Sequence, residues 1–417
     1  MAKPLKIFLA VVGAVVVLVV GAVVIAASLF DPNDYRGKIT EAVKQQTGRD
    51  LQLGDIKLSV FPWLKVRLSD VSFSNAPGFG DAPMAQIKEA AVGVQLLPLL
   101  LDKKVRASSV TLDGLRLELA KNAEGVTNWA ELIKPEDPNA PPEQAGPIKM
   151  EDVDIAGITL TDAFVTYRDA QTQQVYRLEK LNLATGALKP GKPMDIDITL
   201  KAIGEAQKLS ADIVFSSTVM ADLVTQRATL DALKLSLKAQ GEGQTLDLTL
   251  AANVAANLQT QAVDLDGLKL NFKAAMKDLS AEGLLVGRVL ADMSKQSVDV
   301  DGLKLDFKTK MKDQSAEGTL VGDVLADLAK KSVSVAGLKL DFKAAMKDLA
   351  AQGVLSTNLK AGLDSKRYEL AGLNLDATAT GAAVPGGKQA LKRSGNAAYD
   401  GTAGTMKFSE GRIGAAG

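Results

Sequence analysis

A 17-residue motif returns three times between residues 262 and 348. AVDLDGLKLNFKAAMKD begins at Ala262, SVDVDGLKLDFKTKMKD at Ser297 and SVSVAGLKLDFKAAMKD at Ser332. Gly267, Gly302, Gly337 and Gly372 stand 35 residues apart, and one unit earlier Ala232 takes the glycine's place in LDALKLSLKA. Self-similarity at a fixed period implies a stacked array of like units rather than one closed core. Within each unit the period is two. Leu268, Leu270 and Phe272 alternate with Lys269, Asn271 and Lys273, which puts apolar side chains on one face of a strand and polar ones on the other.

The glycine has a physical role in that pattern. Val298 and Val300 precede it on one parity, while Leu303, Leu305 and Phe307 follow on the other. A regular pleat would carry one of these sets to the wrong face. One extra residue at Asp301-Gly302 corrects the phase, as a β-bulge does, and glycine tolerates the dihedrals it needs. The same slip recurs at Gly267, Gly337 and Gly372; the plainer alternative is an ordinary tight turn. Each unit is expected to form two long antiparallel strands, with turns near 294–296 and 277–278.

Composition removes most enzyme chemistry. Cys and His are absent, so thiol nucleophiles, imidazole or thiolate metal sites and histidine acid–base catalysis are excluded. Carboxylates and lysines remain, but their even spread reads as a solvated face. No catalytic, cofactor or metal site is assigned. The 49 basic and 49 acidic residues balance, and aromatics make up only 4%, which argues against nucleic-acid binding.

Residues 7–30, opening on Ile7 and closing on Phe30, contain no charge. As a helix they would be about 36 Å long, enough for a hydrocarbon core of about 30 Å. Lys3 and Lys6 precede them and Asp31 follows, which favours a cytoplasmic amino terminus and export of the remainder. A cleaved signal peptide is the competing reading, but its apolar core is usually shorter. After this anchor (1–30), Asp31-Pro32-Asn33 starts a helix that carries Tyr35, Ile39 and Val43 on one face and ends at Gly48, lying against the first strands. Strands follow through Leu51–Val71, a turn at NAPGFG, a strand over 87–96, a helical turn at LLPLLLDK, and a hairpin or bent strand through Val110, Leu112, Leu115, Leu117 and Leu119.

FDPNDYR, TGRDLQLGDIKLSVFPWLKVRLSDVSFSNAPGF, LLPLLLDKKV and GVTNW occur in this order between residues 30 and 132, and together they resemble the bacterial AsmA-like family. The resemblance is specific there and looser from Met150 onward. It implies an inner-membrane anchor with the bulk of the chain in the periplasm, and a role in outer-membrane biogenesis. Larger relatives resemble bridge-like lipid transfer proteins, whose long twisted sheet curls into a groove with an apolar floor. The carboxy-terminal section of longer members has no clear counterpart, which implies a short or truncated member.

Residues 31–133 are therefore expected to form an amino-terminal α/β module, and 134–150, with five prolines, a linker. Residues 151–380 should build the repeating sheet, and the Gly/Ala-rich tail, 381–417, should be poorly ordered or an unfinished edge. The fold class expected is mainly β: a transmembrane helix, then an elongated, curled antiparallel sheet of about 18 to 20 strands, some 90 Å long if open. Its apolar face demands a cover. In one reading the face is a groove for phospholipid acyl chains, lined by Leu268, Leu270, Phe272, Leu303, Leu305, Phe307, Leu338, Leu340 and Phe342. In the other it closes as a sandwich, and the protein is a structural or assembly factor for outer-membrane proteins, with an outer-membrane or periplasmic protein as partner. A third, an enzyme using buried carboxylates, has the least support.

Overall fold

The structure, a computed structural model, describes residues 31–59, 64–94, 107–132, 155–189, 191–222 and 224–414. The expected anchor at 7–30, the helical turn at LLPLLLDK and the linker at 134–150 lie outside these residues. Among the described residues no helix is long and apolar enough to cross a membrane. Twenty-one strands are described, and they fall into two compact units.

The first unit runs to Pro190 and includes 199–206, so it continues past the proline-rich segment. A 3-10 turn, Pro32–Tyr35, leads into helix α1 (Arg36–Thr47), closed by Gly48 at φ +70°. The helix lies against the first strand as expected, but it covers little of it: none of its residues is buried, Val43 is half-buried, and Tyr35 and Ile39 are exposed. Asn33 instead ties this end down: its side chain accepts from Ile56 N at 2.9 Å and donates to Ile56 O at 3.2 Å. Strands β1 (Leu51–Gln52), β2 (Ile56–Ser59), β3 (Leu64–Phe73), β4 (Ala85–Val94), β5 (Ala107–Asp113) and β6 (Arg116–Lys121) follow, then β7 (Ile158–Asp169) and β8 (Gln174–Thr185).

One pairing departs from the expected antiparallel series. β5 and β6, one strand bent at Gly114, both lie against β4 and both pair with β7 in parallel. A parallel return requires a crossover of a dozen or more residues, and the chain between Lys121 and Ile158 supplies the length. The family-like motifs meet in a buried polar cluster. Arg49 of TGRD is 2% exposed and donates to Asn128 O at 2.7 Å, with the Phe73 ring 5.7 Å away. Asn128 of GVTNW, fully buried, donates to Asn75 Oδ1 and Glu118 O, each at 2.8 Å, and accepts from Ala120 N at 3.0 Å.

β9 (Met194–Gly204) runs through the division between the units. The second unit holds β10 (Leu209–Asp222), β11 (Arg227–Gly241), β12 (Gln244–Asn257), β13 (Ala262–Met276), β14 (Leu279–Asp292), β15 (Ser297–Met311), β16 (Gln314–Asp327), β17 (Ser332–Met346), β18 (Leu349–Gly362), β19 (Arg367–Thr380), β20 (Lys388–Asp400) and β21 (Thr405–Gly414). Each pairs antiparallel with the next, a simple meander. The tail, expected to be poorly ordered or an unfinished edge, thus adds two full strands; Leu391, Ala397, Tyr399, Met406 and Phe408 give them enough alternating apolar side chains.

At one end of β11–β18 the connections are two residues long, as at Lys277-Asp278, while β19 and β20 are joined there by seven. At the other they are four long, and a carboxylate or amide folds back to cap them: Asp292 Oδ1 accepts from Lys295 N at 3.0 Å, and Asp327 Oδ1 from Lys330 N at 2.8 Å. These turns are also bonded to one another. Leu258, Met293, Leu328 and Leu363 donate their amides to Gln226, Gln261, Gln296 and Lys331 of the preceding turn, at 2.8–3.0 Å.

Candidate binding face

Each repeat glycine lies where two residues oppose one. Asp301 and Gly302 face only Asp323, because Val300 pairs with Val324 and Leu303 with Gly322. Gly267, Gly302, Gly337 and Gly372 have φ between +59° and +66°, and the same offset recurs at each. Ala232 holds the same place at φ +50°. The extra amide is satisfied from the facing strand: Gly302 N donates to Asp323 Oδ1 at 2.7 Å, and Gly337 and Ala232 donate to Asn358 and Asn253 at 2.8 Å. Arg288 occupies this position opposite Gly267 and holds Asp264 instead, with bonds of 3.0 and 2.6 Å. That ion pair lowers the Asp264 carboxyl below its ordinary range.

With the phase corrected, the apolar residues on both sides of the bulge share one face. The register places Phe215, Leu235, Leu250, Leu270, Leu285, Leu305, Leu320, Leu340, Leu355 and Leu375 opposite one another in sequence, one from each strand of β10–β19. A second row alternates rings and gaps: Phe272, Gly283, Phe307, Gly318, Phe342 and Gly353. A third sets Leu268, Leu303 and Leu338 against Gly287, Gly322 and Thr357. The nine residues expected to line a groove are thus brought onto one face, across β13, β15 and β17. Leu268 is buried and the other eight are half-buried, as is every member of the leucine row. A sandwich core would bury such residues outright.

The glycines of the ring row mark local concavity. A Cβ on Gly283 would lie 2.6 Å from Asp306 O and 2.7 Å from Phe272 Cζ, and one on Gly353 would lie 2.5 Å from Asp376 O. The neighbouring backbone therefore crowds in on the apolar side of these residues, where only hydrogen fits. Phe272 and Phe307 fill the gaps by leaning over Gly283 and Gly318. A hollow of about 740 Å³ follows this row, touching Gly283, Phe307, Gly318, Phe342 and Gly353, with Lys308, Glu317 and Lys343 also along its lining.

The opposite face carries cross-strand charge pairs between apolar residues such as Leu284 and Val286. Lys238 pairs with Asp247 at 3.9 Å, Lys273 with Glu282 and Lys343 with Glu317 at 3.8 Å, each across adjacent strands. The Thr319 hydroxyl, 2.6 Å away, and Lys304 hold the Asp306 carboxyl below its usual range. Among the described residues every carboxyl with a resolved shift is lowered, and none is raised to serve as a general acid. Three carboxylates converge nowhere among these residues to hold a metal.

Sequence reasoning named three members of the leucine row and missed the other seven, Phe215, Leu235 and Leu375 and the four that β12, β14, β16 and β18 supply. Leu250, Leu285, Leu320 and Leu355 also stand 35 residues apart, so the signal was present. It missed the bulge-capping Asn253, Asp323 and Asn358 in the same way, and Ile7 and Phe30 lie outside the described residues.

Compared with curated proteins and with solved structures, the chain has no match in either. The family comparison does find one: the AsmA family model matches residues 1–397 of 417, nearly the whole of both units. The chain belongs to the AsmA family.

Proposed function

We propose that this is an inner-membrane-anchored periplasmic protein of outer-membrane biogenesis, whose second unit binds phospholipid acyl chains on its apolar face and conducts them along the leucine row. Membership of the AsmA family suggests the biological setting; residues 7–30 would be the anchor. The observation that carries the reading is the leucine row itself. It crosses ten strands, is only partly buried throughout, and runs beside a row whose glycines are crowded from the same side. An apolar face of that extent requires an apolar occupant.

Conduction follows from repetition. Burial stabilises an acyl chain by about 0.8 kcal/mol per CH₂. Equivalent leucines recur on every strand, about 4.8 Å apart. A chain shifted along the row exchanges one set of contacts for an equal set, so its free energy changes little from step to step. The protein would supply the path; a partner or a lipid gradient would supply the direction.

The test is a photo-crosslinking amino acid at Leu270 or Leu305 of the full-length protein in cells, followed by lipid analysis of the adduct. Phospholipid at inward positions and none at Lys269 or Lys304 is the expected outcome. Protein adducts at the inward positions without phospholipid would replace this reading with that of a structural or assembly factor.

A further inference from the structure

The leucine row ends on a cation. Leu375 of β19 pairs in register with Arg393 of β20, so an arginine takes the position that leucine holds on each of the nine preceding strands. Arg393 is exposed, and its guanidinium lies over the Phe408 ring, 4.8 Å from the centroid. Among the described residues no carboxylate is bonded to it. The charges beside it on β19–β21 are otherwise engaged: Lys392 pairs with Asp376 at 3.0 Å, and Glu410 accepts from Asn396 at 3.0 Å. β20 and β21 together carry Lys388, Lys392, Arg393, Lys407 and Arg412 against only Asp400 and Glu410, in a chain of zero net charge.

An arginine on an apolar surface is tolerated when its head stays in water, and stacking on an aromatic ring fixes the plane of the guanidinium while leaving its donors free. That planar fork matches two oxygens of a phosphate, a geometry an ammonium lacks. We propose that Arg393 binds the phosphate of an amphiphile whose acyl chain lies on the adjoining leucine row, making β20 the headgroup position of the groove. This rests on the lipid-binding reading above and adds to it the residue and the end of the row at which the phosphate is held. Inorganic phosphate shares the chemistry but lacks the chain.

Native mass spectrometry of the full chain in detergent can test it, with dioleoyl phosphatidic acid, dioleoylglycerol and inorganic phosphate as probes. Wild type should prefer phosphatidic acid over dioleoylglycerol by roughly tenfold or more, the value of a charge-assisted hydrogen bond. R393Q should take both alike, and R393K should keep some of the preference. A wild-type preference in R393Q would overturn the assignment, as would inorganic phosphate competing as well as the lipid does. Equal uptake of the two lipids by wild type would overturn this proposal alone. Failure to retain either lipid would overturn the groove reading and this proposal with it.

Discussion

Three substitutions separate the two kinds of glycine in the second unit, because one kind is held by its dihedral and the other by space. Gly302 has φ +59° and would present a Cβ to open space. Gly302→Ala therefore costs only the left-handed strain of an L-residue, about 1 kcal/mol. Gly283 needs no positive φ, but its Cβ would meet Asp306 O at 2.6 Å and the Phe272 ring at 2.7 Å. Gly283→Ala must push β14 and β15 apart or evict the ring, which costs about 3 kcal/mol, the upper end of the range for overpacking. Ala232 already sits at φ +50° in the bulge position, so Ala232→Gly should return about 1 kcal/mol. A long array need not unfold in one step, so a single melting temperature is a poor readout. Amide exchange resolved by strand suits the question. Gly302→Ala should speed exchange in β15 and β16 roughly fivefold, Gly283→Ala by far more around β13–β15, and Ala232→Gly should slow it in β11 and β12. If Gly302→Ala proved as damaging as Gly283→Ala, or Ala232→Gly left exchange unchanged, the assignment of the repeat glycine to backbone strain would be refuted.

Asn128→Ala removes three hydrogen bonds from a fully buried side chain and should destabilise the first unit by about 3 kcal/mol, read as faster exchange in β3–β7 with β13–β18 unchanged. Leu305→Asp replaces a half-buried floor residue and should abolish phospholipid crosslinking while circular dichroism stays that of a β protein; Lys304→Asp, on the other face, should leave crosslinking intact. Acid should loosen the four-residue turns. The Asp292 and Asp327 carboxyls are lowered by hydrogen bonds to Lys295 and Lys330, so their contribution is fully present above the unfolded value of about 3.9 and is lost as pH falls toward the folded one. Exchange at these turns should be level from pH 7 to about 5, after correction for intrinsic rates, and rise below about 4; greater protection at pH 3 would contradict the sign.

What was legible in the chain depended on how local its cause is. Alternation across Leu303, Leu305 and Phe307 assigns a face because each side chain's direction follows from the pleat alone. GLLVG in β14 does not, since Leu284, Leu285 and Val286 are all apolar and either parity would serve. Only pairing with Leu270 and Leu305 assigns Leu285 to the row and turns Leu284 and Val286 to the other side. The parallel return of β7 beside β5 and β6 lay further out of reach, because it depends on where a long crossover brings the chain back. The buried Arg49–Asn128 contact joins residues 79 apart and leaves no periodic trace.

Ala232 refines what the glycine itself means. It adopts the same two-against-one offset, with its amide bonded to Asn253 as Gly337's is to Asn358, although it carries a Cβ. Glycine is therefore not what makes the bulge. The apolar residues change parity across this point in each unit, and an unbroken pleat would turn the apolar side chains on one side of it, in β13 either Val263 and Leu265 or Leu268, Leu270 and Phe272, to the wrong face. Exposing several apolar side chains costs far more than one left-handed residue, which is about 1 kcal/mol. The hydrophobic pattern sets the position of the bulge, the facing acceptor satisfies its extra amide, and glycine removes the remaining strain.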